Sequence, residues 1–554
     1  MDITVILLLM TFLVSVGALM VFVWSMSKGL FGTGPEASRL IFDQGEQGKI
    51  EDPALTEIQR RAFQQDMNPA AANQHSMDTE LQERLVADQS SAGPALLCLT
   101  LAVIWLFWGS IAGMIASMKL HLPDWWVASE WITFGRIRPV HLNIVAYGWC
   151  SFAGVGIALW MIPRLLKTPL RGARYAYAGA LVWHVGVTLG VASILAGLSD
   201  GLEWLEFPWQ VDILLFAGGG LMAVPLVMTL LNRKVDHLYV SVWYMGAALL
   251  WFPVLFGVAN IPNLHFGVQE ATMNWWYGHN ALGLWFTPLG LAAAYYFIPK
   301  VIGKPIHSYN LSLLGFWSLA FFYSQVGGHH LIGGPVPSWF ITMGIVQSVM
   351  MVIPVLAVAI NQHMTVLGNF RALKHSPTLR FIVIGAMMYT LASVQGSMES
   401  LRNVNLVTHF THYTVAHAHI GLYGFFSFVM FGSIYFVMPR ITQWEWPYPK
   451  LISLHFWLVT LGIGIYFIWL SIGGWLQGLI LLDGSKPFMD SVAVTLPYLE
   501  ARSLGGGLMT LGHIVFAIHF FAMALRFGPS RMTQAVLGDS KFLNLFLKLK
   551  RVTA

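Results

Sequence analysis

The sequence predicts an all-α integral membrane protein, and its composition and hydropathy pattern are the observations that support this fold class. Of the 554 residues, 56% are hydrophobic and only 10% are charged, and the mean hydropathy is +0.63. Such values are typical of polytopic membrane proteins and exclude an ordinary soluble domain. Apolar stretches that approach or exceed the roughly 20 helical residues needed to cross a bilayer recur along most of the chain. We therefore expect a twelve-helix core and one additional N-terminal transmembrane helix.

The N-terminal part is predicted to hold an anchor and a linker. Residues 4–26 are apolar and no small-residue cleavage site follows them, so residues 1–30 are predicted as a transmembrane anchor and not as a removed signal peptide. Residues 31–92 are rich in glutamine and charged side chains, and we interpret them as a polar cytoplasmic linker. This composition is typical of segments without a packed core. One amphipathic helix is expected near residues 54–66.

The predicted core covers residues 93–530 and contains twelve apolar stretches that no soluble domain interrupts. Their approximate ranges are 94–117, 141–163, 174–198, 209–231, 237–259, 274–299, 309–331, 337–361, 379–398, 409–438, 452–480 and 505–526. Residues 531–554 form a predicted basic cytoplasmic tail.

Charges in the loops predict the orientation, because cytoplasmic loops carry an excess of lysine and arginine. One set of alternate loops and the tail are basic: Arg164, Lys167, Arg171, Arg174, Arg233, Lys234, Lys300, Lys304, Arg371, Lys374, Arg380, Arg440, Lys450, Arg526, Arg531, Lys548, Lys550 and Arg551. The other set is acidic: Asp124, Glu130, Asp200, Glu203, Glu206, Glu270, Asp483 and Asp490. The linker and both ends of the core are therefore expected on the cytoplasmic side.

The two cysteines, Cys98 and Cys150, lie far apart in apolar stretches. They cannot form the Cys-x-x-Cys-His motif that attaches a c-type haem. Any c-type haem must therefore belong to another chain of the complex. No basic run interleaved with aromatic residues indicates a nucleic-acid partner.

Six histidines in membrane-spanning stretches are predicted to lie at similar depths in the outer half of the bilayer: His141, His279, His329, His330, His417 and His419. Intramembrane ionisable residues are functional candidates by default, since an imidazole in hydrocarbon needs a partner. A set of six on four helices indicates metal ligation.

Helix geometry divides the set. Residues two apart on a helix point about 200° away from each other, so His417 and His419 can bind two groups on opposite sides of one helix. That arrangement suits two haems, and His141 on another helix can provide an opposing axial ligand. The remaining His279, His329 and His330 suit copper or another borderline metal with an open position.

Adjacent histidines can share one metal only where a helix ends or is distorted. His329 and His330 are surrounded by the helix-breaking residues Gly327, Gly328, Gly333, Gly334 and Pro335. Lone histidines on apolar helices are more often hydrogen-bonded core residues, and we interpret His184, His363, His455, His513 and His519 in this way. His409 and His412 fit either a propionate contact or a water contact.

Several motifs resemble those of the catalytic subunit I of haem–copper oxidases, in particular the cbb3-type cytochrome c oxidases. The matching segments are TFGRIRPVHLN (133–143), NWWYGHNALG (274–283), FFYSQVGGHHL (321–331), HFTHYTVAHAHIG (409–421), GGWLQG (473–478) and ARSLGG (501–506). The resemblance covers nearly all of residues 94–526, and it implies a twelve-helix haem–copper oxidase core.

The resemblance implies a role for each histidine. His141 and His419 would be axial ligands of a low-spin haem b, and His417 would be the proximal ligand of a high-spin haem. His279, His329 and His330 would hold the copper ion CuB. The implied cofactors are two b-type haems and one copper ion, with calcium near the haem propionates as a further expectation.

Other residues also match the family. Tyr323 corresponds to the active-site tyrosine, which the family links covalently to the copper-ligand histidine of the sixth helix, here His279. Arg136 and Arg138 match basic residues near the propionates, where a guanidinium can pair bidentately with a carboxylate.

Thr287, Tyr309 and Ser312 resemble the family's proton-input channel. Tyr309, Ser312 and Tyr323 are spaced close to whole helical turns. From the residues alone, hydrogen bonding to the backbone or to neighbouring helices explains these polar side chains equally well.

The chain departs from the family pattern at two places. Gln395 stands where the family normally has a glutamate near the active site, and a neutral amide cannot exchange a proton. WSMSKGLFGTGPEASRLIFD (24–43) resembles the small one-helix maturation protein of cbb3-type oxidases, fused here in front of the core. A plain membrane anchor remains the alternative interpretation of that segment.

The resemblance implies a terminal oxidase of the bacterial inner membrane that reduces O2 with electrons from cytochrome c, coupled to proton uptake and translocation. Membrane-anchored c-type cytochrome subunits are the implied partners. Nitric oxide reductases of the same superfamily are the alternative, but they carry extra glutamates beside the three histidines and lack the tyrosine. Gly283 and Gln395 supply no such carboxylate here. A haem-carrying assembly or sensor protein without turnover is a third hypothesis.

Overall fold

The structure, a computed structural model, describes residues 35–42, 46–67 and 79–526 together with single positions between 13 and 27. The predicted tail (531–554) and most positions of the predicted N-terminal anchor lie outside these residues, so both stay predictions. Within the described residues the structure is almost entirely helical, and its β pairing is one isolated bridge between Leu202 and Leu205. The predicted all-α fold class is confirmed.

Each predicted apolar stretch of the core forms a helix. The twelve helices are α1 (Thr79–His121), α2 (Phe134–Leu165), α3 (Ala173–Leu195), α4 (Trp209–Leu231), α5 (Val240–Ala259), α6 (Val268–Ile302), α7 (Tyr309–Tyr323), α8 (Ser338–Val366), α9 (Pro377–Glu399), α10 (His412–Thr442), α11 (Pro449–Leu482) and α12 (Phe488–Arg526). Among the described residues, eleven of them are long and apolar enough to cross a membrane. The exception is α7, which has 15 residues.

Helix α7 ends earlier than the apolar stretch 309–331 predicts. It stops at Tyr323, and residues Gly328–Leu331 form a separate 3-10 turn. Gly327 has φ +123°, a conformation that side chains other than glycine rarely adopt. In a continuous helix two adjacent side chains would point about 100° apart. The turn therefore frees His329 and His330 from that constraint.

Helices α2, α6 and α10, which carry the predicted ligands His141, His279, His417 and His419, form the interior of the bundle. In the most apolar 18-residue segment of each of these helices, 94%, 89% and 89% of the residues are buried. The corresponding share in the other candidate membrane spans is 33–61%. The remaining helices pack around them, with α1 against α2 and α12, α3 against α4, α9 against α10, and α11 against α12.

All three interior helices contain a π-helical segment that begins within three residues after a predicted ligand. The segments are Ile144–Cys150 after His141, Leu282–Phe286 after His279, and Ile420–Ser427 after His419. Such π turns are rare and occur frequently at functional sites. Each one shifts the helical register between the ligand and the rest of its helix.

The described part of the linker is docked against the core, contrary to the expectation of a segment without packing. Its predicted amphipathic helix is confirmed as Glu57–Met67, with Phe63 buried on its inner face. The backbone N–H groups of Gly48 and Glu51 donate to the carbonyls of Gly303 and Val301 at 2.8 and 3.2 Å. The core also begins earlier than residue 93, because α1 starts at Thr79.

Acidic linker residues compensate basic residues of the core. Glu46 forms ion pairs with Arg84 and with Lys300, and Glu51 pairs with Arg440. Lys300 and Arg440 belong to the basic loops used to predict orientation. The docked linker thus neutralises part of that basic surface.

Asp52 anchors the linker from a fully buried position. It accepts hydrogen bonds from the hydroxyls of Ser376 and Thr378 and from the backbone N–H of Ala54. Burial raises the pKa of its carboxyl above the ordinary value, while the bonds from Ser376 and Thr378 oppose that shift. The carboxyl therefore joins the linker to the start of α9.

Replacing Asp52 with alanine is expected to loosen the linker. The change leaves the buried hydroxyls of Ser376 and Thr378 without their acceptor, at a cost of about 1–3 kcal/mol. Limited proteolysis should then cut residues 46–67 faster than in the wild type. Glu57→Ala is the control, since its exposed side chain pairs with Arg60 and Arg61 in its own helix. Equal cleavage of both variants would contradict this role of Asp52.

Candidate metal centre

Three imidazoles converge at one point in the bundle interior, as the sequence predicts. His279 comes from α6, and His329 and His330 come from the turn after α7. One nitrogen of each lies within 4.8 Å of the others. The ring centroids of His329 lie 4.9 Å from His279 and 4.3 Å from His330. Within the described residues, this is the one group of three or more potential ligands that meets this spacing.

The surroundings of the three rings fit a bound metal ion. The Nδ1 of His329 lies 3.0 Å from the Ser348 hydroxyl, which leaves Nε2 for coordination. His330 stacks on Trp275 at 4.3 Å, and His279 Nδ1 is buried without a hydrogen-bond partner among the described residues. Imidazole ligands suit copper, zinc, iron or nickel. Three of them leave at least one coordination position open.

Tyr323 lies beside this cluster because Gly283 has no side chain. The Tyr323 and His279 rings are 5.1 Å apart, and a Cβ on Gly283 would lie 1.7 Å from the phenol ring. The sequence showed only that Gly283 supplies no carboxylate. The structure adds that no side chain at all fits there while Tyr323 keeps its place.

Replacing Gly283 with alanine is therefore expected to destabilise the protein. The added Cβ would overlap the ring of Tyr323, so the overpacking should cost about 1–3 kcal/mol, measured as a lower midpoint of thermal unfolding in detergent. Gly246→Ala in α5 is the matched control, because an added Cβ there meets nothing within 4 Å. It should be neutral or stabilising by up to about 1 kcal/mol. A Gly283→Ala protein as stable as the control would contradict the close contact.

His141 and His419 face each other with nearly parallel rings. The ring centroids are 6.3 Å apart and the planes differ by 12°. Their Nδ1 atoms lie 2.8 Å from the carbonyls of Gly109 and Val415, which leaves both Nε2 atoms for coordination. A Cβ at Gly113 would lie 2.7 Å from the His141 ring, so this glycine provides the room that the imidazole occupies. The pair fits two axial ligands of one haem iron.

His419 Nε2 has a protein partner at this position. The Tyr466 hydroxyl lies 3.1 Å from it. A metal bound to His419 Nε2 would take the place of that hydrogen bond.

His417 faces a different helix from His419, as their spacing predicts. Its ring lies against α9, where a Cβ on Gly396 would be 2.8 Å from His417 Cε1. Its Nδ1 is 3.8 Å from a carboxyl oxygen of Glu399. The short helical segment His412–His419 thus presents one imidazole toward α9 and another toward α2 and α11.

The two predicted propionate-binding arginines contact protein groups. Arg138 forms a two-bond ion pair with Glu203, at 2.6 and 3.3 Å. Arg136 donates to the carbonyl of Leu195 at 2.8 Å. Their proposed role at haem propionates stays a prediction.

The polar residues of the predicted proton path are also bonded to the backbone. The buried Tyr309 hydroxyl donates to the carbonyl of Leu238 at 2.8 Å, and the Ser312 hydroxyl donates to the carbonyl of Tyr309 at 2.6 Å. Thr287 begins the α-helical part of α6 that follows its π segment. These bonds agree with the alternative of local hydrogen bonding, and the path stays a prediction.

Most histidines interpreted as core residues have side-chain partners. His184 pairs with Trp105, His363 with Thr390, His455 with Tyr435, and His513 with Ser110 and Tyr423. His519 has no hydrogen-bond partner among the described residues and contacts the Trp446 ring at 4.6 Å.

The His409 ring, predicted to contact a propionate or water, stacks on Phe410 at 3.9 Å. The two cysteines are free and buried.

Sequence reasoning missed three residues that lie against predicted ligands: Trp275 beside His330, Glu399 beside His417 and Ser348 beside His329. Trp275 could have been found, because it lies four residues before His279 and thus on the same helix face. Glu399 stands one turn after Gln395, again on a shared face. Ser348 has no such signal, since its contact with His329 depends on how α8 packs against the turn after α7.

Comparisons with known proteins agree with this geometry. A family model described as "Cytochrome C and Quinol oxidase polypeptide I" matches residues 93–508. The chain is 31% identical over 433 residues to "Cbb3-type cytochrome c oxidase subunit CcoN1" of Stutzerimonas stutzeri, and the match covers 75% of this chain and 91% of that protein.

Two more distant proteins are also similar. A nitric oxide reductase polypeptide of the same organism is 24% identical over 422 residues, covering 70% of this chain and 86% of that protein. A solved structure of a heme-copper terminal oxidase dimer superposes with a TM-score of 0.68 and 16% identity, covering 78% of this chain and 84% of that one. The superposition supports the fold.

Proposed function

Because the chain belongs to the cytochrome c and quinol oxidase polypeptide I family, the haem–copper oxidase subunit I family, we propose that it is the catalytic subunit of a cbb3-type terminal oxidase. Such an enzyme reduces O2 to water with electrons from cytochrome c and couples the reaction to proton uptake and translocation. The three-imidazole cluster with Tyr323 beside it carries this proposal.

The geometry of the six histidines supports the proposed ligand roles. His141 and His419 would hold a low-spin haem b, and His417 would hold a high-spin haem. His279, His329 and His330 hold copper. When bound, the high-spin haem and the copper ion supply the electrons and the binding site for O2 reduction.

Tyr323 is the residue proposed to act on the reacting oxygen. Its phenol can donate a proton and an electron, and its partly buried ring lies 5.1 Å from that of His279. Thr287, Tyr309 and Ser312 are proposed to bring protons from the cytoplasmic side toward it. Arg136 and Arg138 are proposed to lie near the haem propionates, with a calcium ion close by.

A nitric oxide reductase is the alternative within the superfamily. Two observations favour the oxidase: the identity to the cbb3-type relative is 31%, against 24% for the nitric oxide reductase, and Tyr323 fills the space at Gly283. A side chain at Gly283 would displace the phenol. A haem-carrying assembly or sensor protein would retain the histidines without turnover.

The membrane orientation, the location and the partner subunits of the protein are proposed from its loop charges and its family. The linker, residues 31–92, and the tail, residues 531–554, face the cytoplasm, and the metal sites lie toward the periplasmic side of the bacterial inner membrane. Membrane-anchored c-type cytochrome subunits deliver the electrons, since this chain has no attachment site for a c-type haem. Residues 1–30 anchor the chain, and the segment to about residue 43 resembles a maturation protein.

Turnover of the purified complex tests the function. We expect O2 consumption with reduced cytochrome c, and NO reduction at a far lower rate. NO reduction without O2 consumption would establish the alternative. A stable, haem-loaded complex that turns over neither gas would establish the assembly or sensor hypothesis.

A further inference from the structure

A buried carboxyl that the three-imidazole cluster does not use lies beside His417. Glu399, the last residue of α9, is 6% exposed. Its Oε1 lies 3.8 Å from His417 Nδ1. Both atoms are buried, and neither has a hydrogen-bond partner among the described residues.

Three of the other predicted ligands already have a partner for Nδ1. The Nδ1 atoms of His141 and His419 bond to backbone carbonyls, and that of His329 bonds to a hydroxyl. For His417, the ion-pairing distance to Glu399 is the contact that the structure gives to Nδ1. It is longer than a hydrogen bond, so the two side chains must approach each other before a hydrogen bond forms.

The position of Glu399 also relates to the departure at Gln395. The two residues are four apart on α9 and therefore lie on the same face, one turn from each other. Gln395 is buried, and its side-chain oxygen has no hydrogen-bond partner among the described residues. A carboxyl that this chain lacks at residue 395 is thus present one turn later.

We propose that Glu399 is the positioning residue for His417, with its carboxyl oxygen accepting the hydrogen bond that His417 Nδ1–H donates. Metal-ligating histidines usually make such a bond to a carboxylate, carbonyl or water, and it fixes the tautomer and ring orientation and raises ligand basicity. His417 Nε2 is thereby left for the haem iron. The inference depends on the proposed role of His417 in holding the high-spin haem.

Variants of Glu399 in the purified whole complex test the proposal through two readouts other than activity. Glu399→Ala should lower the iron–histidine stretching frequency of the reduced high-spin haem in resonance Raman spectra, because the ligand becomes less basic. It should also raise the midpoint potential of that haem and leave the low-spin haem unchanged. Glu399→Gln keeps an acceptor oxygen and should give smaller shifts in the same directions.

Asp212→Asn is the matched control, since Asp212 is a buried carboxyl on α4 with an oxygen that lacks a hydrogen-bond partner among the described residues. It should move neither signal of the high-spin haem. Haem-loaded Glu399 variants with wild-type frequency and potential would overturn the proposal. If Glu399→Ala fails to load haem, Glu399→Gln decides alone. A wild-type complex without a histidine-ligated high-spin haem would instead contradict the proposed function itself.

Discussion

Replacing His330 with alanine is expected to abolish copper binding while both haems remain. His330 is one of three imidazoles whose ligand atoms lie within 4.8 Å of one another, and its removal leaves a two-ligand site. Changes to groups that only support metal ligands cost about 10–100-fold in affinity, so the loss of a ligand should cost more than about 100-fold. Copper in the purified complex should fall below detection, and O2 consumption should fall with it.

A variant at a second histidine distinguishes the loss of a copper ligand from a general destabilisation of the protein. His363 on α8 is half-buried and pairs with Thr390, and it lies outside the predicted ligand set. His363→Gln should retain copper, both haems and O2 consumption. Full copper occupancy in the His330→Ala protein would mean that His330 is not a ligand.

Replacing Tyr323 with phenylalanine is expected to slow turnover strongly without removing any metal. The ring still fills the space at Gly283, so the packing should persist, but the hydroxyl is lost. Proton transfer by a positioned side chain typically contributes about 10²–10⁴-fold. O2 consumption should fall by a factor in that range, while the copper and haem contents stay at wild-type values.

Tyr435→Phe is the matched control for the hydroxyl. Tyr435 is fully buried and bonds to His455 at 3.0 Å, among residues interpreted as core. This variant should retain most of the activity. Tyr323→Phe with wild-type turnover would remove Tyr323 from the proposed chemistry.

The helices and the histidine cluster were predictable from the sequence because both depend on local patterns. Apolar stretches of sufficient length predict membrane helices, and each of the twelve core stretches contains a helix in the described residues. His279, His329 and His330 were grouped because they remained after the other three histidines were assigned to haems. The glycines after Tyr323 supported the grouping, since only a break in the helix lets adjacent imidazoles converge.

Features that depend on contacts between distant segments were not predictable. Composition indicated a linker without packing, yet Asp52 is buried against α9. A polar segment can dock where its charges meet complementary charges. The hydropathy of the linker alone does not predict its ion pairs with Lys300 and Arg440. The partner of His329, Ser348, depends in the same way on helix packing.

Gln395 shows that one sequence position, taken alone, does not establish whether a carboxyl lies near His417. The sequence indicated a missing carboxyl at that residue. The structure shows another carboxyl one turn later, Glu399, at 3.8 Å from His417 Nδ1. Helical periodicity could have indicated this neighbour, but the direction of both side chains required the packing of α9 against α10.

The metal and haem content of the purified complex tests the central claim most directly. Elemental analysis combined with a haem assay that separates b-type from c-type haem should give one copper ion and two b-type haems for each copy of this chain. Copper should disappear in the His330→Ala protein and persist in the His363→Gln protein. Non-haem iron in place of copper would contradict the oxidase assignment and favour a nitric oxide reductase.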